Sequence, residues 1–139
     1  MNLLFKSWIV TLLTICLLIS AGNAAPEKKA SQTERNVVAL IKLQKESNIT
    51  SVYAKGACCL SCAIGIRIKI SKLNFVDRKR FNKGVAINPK YELIHIAIKP
   101  DHSADIKALT KAVVDAGYDP MYAYSIADGK LVTTPLNSR

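Results

Sequence analysis

Three thiols lie within five residues, at Cys58, Cys59 and Cys62 in the stretch Gly56-Ala57-Cys58-Cys59-Leu60-Ser61-Cys62. Thiolates are soft ligands that retain Cu(I), Zn(II) and heavier thiophilic ions, and a Cys-x-x-Cys pair at the junction of a loop and a helix can converge on one ion. The same pair can close into a disulfide, and spacing alone does not choose between the two. A third sulfur at Cys58 either converts a two-sulfur site into a three-sulfur one or remains a spare thiol. His95, which alternates with apolar isoleucines, and His102, beside a helix start, both read as surface residues rather than ligands.

The compartment bears on that chemistry. Residues 1–24 have the layout of a secretory signal: Lys6 near the start, an apolar run over 9–19, then Ala21-Gly22-Asn23-Ala24 as a cleavage site. The run is short for a membrane span of roughly 20 residues. Cleavage after Ala24 removes Cys16 and leaves an odd number of thiols, so a framework pairing every cysteine is excluded. The expected location is periplasmic or secreted.

With 20 Lys plus Arg against 10 Asp plus Glu, the formal net charge is +10. The positive charge is spread along the chain without a nucleic-acid-binding motif, so no nucleic-acid partner is expected, and the size suits one small monomeric domain.

Elements that would position the cysteines follow from periodicity. Residues 26–35 read as a mobile, polar lead-in. Val37, Leu40, Ile41 and Leu43 fit a short amphipathic helix over 36–46, and the β-branched run 49–55 fits a strand. After the cysteines, Ile64, Ile66, Ile68 and Ile70 alternate with polar residues, a strand period. A helix would instead align Cys62, Ile66, Ile70 and Leu73 on one face, and pattern alone leaves both open. Residues 84–88 and 92–99 read as strands joined by a turn at Asn88-Pro89-Lys90-Tyr91. A helix capped by Ser103, with Ile106, Leu109 and Val113 as its stripe, ends at Gly117. A last strand over 119–126 extends into a hairpin through Asp128-Gly129, and the tail from Thr133 reads as loose.

The order strand, Cys-x-x-Cys, helix, strand, strand, helix, strand resembles the heavy-metal-associated domain of copper chaperones, metal-pumping ATPases and the periplasmic mercury-binding protein. The Gly56 to Cys62 loop is similar to that family's Gly-Met-x-Cys-x-x-Cys loop, and Ala116-Gly117-Tyr118 to its Ala-Gly-Tyr signature. Ala57 stands where the family has methionine, and residues 74–83 are more basic than its usual short connection.

The resemblance implies an α+β, ferredoxin-like βαββαβ sandwich over 49–126 with an N-terminal extension over 25–48 and a tail over 127–139. It favours a helix over 62–73, opened by Cys62, whose thiolate would gain from the helix N-terminus. It also brings Tyr118 toward the loop. By this reading the chain is not an enzyme. Cys59 and Cys62, with Cys58 as a candidate third ligand, would carry Cu(I) or Hg(II) between a metal donor and a metal acceptor such as a membrane transporter. The alternatives are a thiol-disulfide oxidoreductase and an interaction module with a structural disulfide. A helical 62–73 segment turns Ile64 and Ile68 away from the core, and the 37–43 segment is expected to cover them through Leu40 and Ile41, the alternative being that the patch docks the transporter.

Overall fold

The computed structural model describes residues 28–136, so the expected signal segment over 1–24 lies outside the described residues. The elements are α1 (Gln32–Lys45), β1 (Ile49–Lys55), α2 (Leu60–Ile70), β2 (Val85–Asn88), a 3-10 turn (Pro89–Tyr91), β3 (Leu93–Ala97), α3 (Ile106–Asp115), β4 (Asp119–Ala127) and β5 (Lys130–Pro135). Among the described residues the fold is α+β: one five-stranded antiparallel sheet in the order β2-β3-β1-β4-β5, with three α-helices. Among the described residues, no helix is long and apolar enough to cross a membrane.

β1 is central and buried along most of its length, so its side chains feed two cores. On one face, Val52 and Ala54 join Ile94, Ile96, Val85 and Ala123 under Ile66 and Ile70 of α2 and Leu109 and Val113 of α3. On the other, Tyr53, Leu93 and Tyr124 pack against Ala39 and Leu43 of α1. Each fully buried aliphatic side chain stabilises the fold by roughly 1.5–3 kcal/mol. The isoleucine ambiguity resolves as a helix: Ile66 and Ile70 are fully buried, while Ile64 and Ile68 face solvent.

Four expectations are corrected. The polar lead-in is helical from Gln32, because Ser31 and Glu34 form a reciprocal capping box. Helix α1 covers the sheet face opposite α2, so it does not cover Ile64 and Ile68. Its buried stripe is Arg35, Ala39 and Leu43, and Ile41 points outward. Asp105, not Ser103, caps α3, its carboxylate accepting the Ala108 N–H at 2.9 Å. Residues 133–135 belong to β5, paired with β4 through the turn at Asp128 and Gly129, both at positive φ.

His95 is a fifth correction. It is buried on the α1 side of the sheet, and its Nδ1 lies 2.7 Å from the Ser51 Oγ. Burial, with the nearby positive charge of Lys42 as a second cause, pushes its pKa down to about 4. His102 is exposed, as read from the sequence.

The basic connection over 74–83 is tied down at both ends. Arg80 donates to the Ser47 carbonyl at 2.8 Å and the Asn48 carbonyl at 3.2 Å, and pairs with Glu46 at 3.0 Å, locking the connection to the end of α1. Gly84 sits at φ 86° against Val76, where an added Cβ would overlap the valine methyl.

Candidate functional site: a dithiol at the N-terminus of α2

The β1–β4 pairing shifts register between Tyr53 and Ala54, immediately before the cysteine loop. Such an irregularity re-aims the end of a strand. Gly56 follows at φ 94°, a conformation that suits glycine, and a Cβ there would lie 3.7 Å from the Tyr118 ring. Tyr118 therefore flanks the loop, as the resemblance implied. The chain then tightens: Ala57 N–H donates to the Ala54 carbonyl at 3.1 Å, and Cys58 N–H to the Gly56 carbonyl at 2.9 Å. Ala57 is fully buried and anchors the loop in the core through its methyl group.

Cys59 is the N-cap of α2, so the helix starts before Cys62 rather than at it. The Cys59 Sγ accepts the Cys62 backbone N–H at 3.3 Å, and the Ser61 Oγ lies 3.2 Å from the same sulfur. A sulfur at this position meets the unsatisfied N–H groups and positive end of the helix. The Cys62 Sγ is 3.9 Å from the Gly56 carbonyl oxygen. Cys59 and Cys62 are joined as a disulfide, with Cα atoms 5.3 Å apart. Both are half-buried, so the pair is accessible from solvent.

Cys58 is a free, exposed cysteine outside that pair. It lines a separate cavity of about 440 Å³ with Lys28, Lys55, Lys90 and Glu92. Among the described residues, no three Cys, His, Asp or Glu side chains are grouped as a metal site.

Two residues that sequence reasoning passed over hold the loop from behind. Glu92, buried and at φ 54°, accepts the Gly56 N–H on Oε1 at 2.8 Å and pairs through Oε2 with the Arg35 guanidinium at 2.9 Å. Arg35 also donates Nε to the Tyr91 carbonyl at 3.0 Å and stacks 3.9 Å over the Tyr53 ring. One carboxylate thus connects α1 to the residue whose carbonyl faces Cys62. The available signal was Arg35 itself, a cation in register with Ala39 and Leu43 on a stripe that is otherwise apolar.

No protein-family model, curated protein or solved structure matches this chain. The chemistry of the loop itself therefore carries the functional reading.

Proposed function

We propose that the protein is a periplasmic or secreted carrier of a soft metal ion, Cu(I) or Hg(II), which it sequesters or delivers through Cys59 and Cys62. We propose further that β1 to β4 with α2 and α3 form a ferredoxin-like βαββαβ core. The antiparallel order β2-β3-β1-β4 within the sheet supports that assignment, with α1 and β5 as additions at its back and edge.

The observation that carries the functional reading is the meeting of two solvent-accessible sulfurs at the N-terminus of α2, one from its N-cap and one from its first turn. In the disulfide form the pair holds no ion. Two electrons and two protons from a thiol reductant give two thiols, which release those protons as the ion binds. The donor set fits a two-coordinate soft ion better than Zn(II), which ordinarily takes four ligands. Cys58 acts as a third sulfur only if the loop turns it toward the pair, a rearrangement that favours ions accepting trigonal coordination.

The test is an anaerobic titration of the reduced protein in which Cu(I), Hg(II), Zn(II) and Cd(II) compete. Replacing both Cys59 and Cys62 with Ser should abolish high-affinity binding while the fold persists, and Cys58→Ser should change metal preference more than total binding. Undiminished affinity in the double variant rejects the site. A second reading, thiol-disulfide exchange, is favoured by the bond between Cys59 and Cys62 and would be marked by turnover of a disulfide substrate without metal retention.

A further inference from the structure

The surface of α2 turned away from the core carries Leu60, Ile64 and Ile68 at i, i+4 and i+8, exposed by 78%, 60% and 50%. This is one continuous aliphatic stripe, because residues four apart stack on the same helix face. Helix α1, the segment best suited by sequence to cover it, lies on the other side of the sheet. The stripe ends at a cavity of about 390 Å³ lined by Ile64, Ile68, Arg67, Lys72 and Lys83. Arg67 Nε is buried there without a hydrogen-bond partner, so a donor at this cavity is left unsatisfied. Between Lys55 and Val76 the sequence contains no Asp or Glu, while Arg67, Lys69 and Lys72 all fall on or just after the helix.

We propose that this face docks the protein on an anionic phospholipid bilayer. The aliphatic stripe enters the boundary between headgroups and acyl chains, and a lipid phosphate is received at Arg67 with Lys72 and Lys83 around it. Apolar area and cations on one helix face are the combination that binds negatively charged interfaces. The Arg67 guanidinium, at the cavity with Lys72 and Lys83, pairs with a phosphate oxygen through a charge-assisted contact. Leu60 lies between Cys59 and Cys62, so docking would hold the thiol pair at the membrane surface. The inference stands on the stripe and its cations and does not depend on the metal-binding reading.

Sedimentation with protein-free vesicles tests it, using the processed chain that starts at Ala25 and retains every described residue. The protein should bind phosphatidylglycerol-containing vesicles and bind pure phosphatidylcholine vesicles at least about tenfold more weakly, with affinity falling as salt rises. The variant carrying Ile64→Ser and Ile68→Ser alters only exposed side chains and should lose binding by about tenfold or more. Arg67→Gln should reduce the preference for anionic lipid, and inorganic phosphate at the same ionic strength as a chloride control should compete only weakly. Equal binding to both vesicles, or an unchanged isotherm in the isoleucine variant, would overturn the proposal. Absence of vesicle binding would also overturn it and direct the stripe to a protein partner, as would self-association lost on the same substitutions in sedimentation velocity.

Discussion

The two faces of the sheet are built from different chemistry. The face under α2 and α3 is closed by aliphatic side chains, with Ile66, Ile70, Leu109 and Val113 packed over Val52, Ile94 and Ile96. The face under α1 has a smaller apolar cluster and a set of directed polar contacts: Arg35 with Glu92, Ser51 with His95, and Gln32 Nε2 donating to the Tyr124 Oη at 2.9 Å. Aliphatic packing is tolerant of partner and non-directional, whereas a buried ion pair fails when one member is lost. The helix pair thus forms the main core and presents the dithiol. Helix α1 reaches the same loop from behind through Glu92.

The largest effect should come from Glu92→Ala, which leaves the buried Arg35 guanidinium uncompensated and removes the Gly56 acceptor. A loss of about 3–5 kcal/mol in chemical denaturation is expected. Adding Arg35→Met to Glu92→Ala should recover part of it, because the stranded charge is then gone. An additive double variant would deny that the pair acts as a unit. On the aliphatic face, Ile66→Ala should cost about 2–5 kcal/mol with no such rescue by a partner substitution.

Acidification should also act selectively on the α1 face. The pKa of His95 is lowered to about 4 from an ordinary value of 6.5, so the unfolded chain takes up its proton first as pH falls. The stabilisation from keeping His95 neutral is complete above pH 6.5 and is lost progressively toward pH 4. The loss amounts to about 3 kcal/mol. Stability measured across that window should fall less steeply in His95→Gln, and an unchanged slope would contradict the assignment. The smallest expected effect is at the start of α1, where Ser31→Ala removes the capping-box acceptor and should cost about 1 kcal/mol in the same assay.

What could be read from the sequence follows the same division. Strand β1 was legible because Ile49, Thr50, Val52 and Tyr53 give a strand signal that needs no partner. The burial of Ile66 and Ile70 was legible once the segment was taken as a helix. The period of two arises because isoleucine occupies both the core face and the exposed stripe, so composition hides the helix. The location of α1 was not legible, since it depends on Arg35 reaching Glu92, 57 residues away. His95 misled for the same reason: alternation placed it on the second face of the sheet, and only α1 buries that face. Strand β5 is mostly exposed and lacks an apolar alternation, so backbone pairing with β4 defines it. Ser103 and Asp105 are both competent caps, and the choice rests on which side chain reaches the Ala108 N–H. At the site, the cysteine spacing was plain, whereas Glu92 behind Gly56 is a contact between distant residues.

Native mass spectrometry of the reduced protein with one equivalent of Hg(II) or Cu(I) tests the dithiol carrier most directly. One ion should be retained per chain, adding the metal's mass less two protons for Hg(II) or less one for Cu(I), and no ion should be retained when Cys59 and Cys62 are both Ser. An ion retained by that double variant, or a reduced parent protein that captures none, would contradict the account.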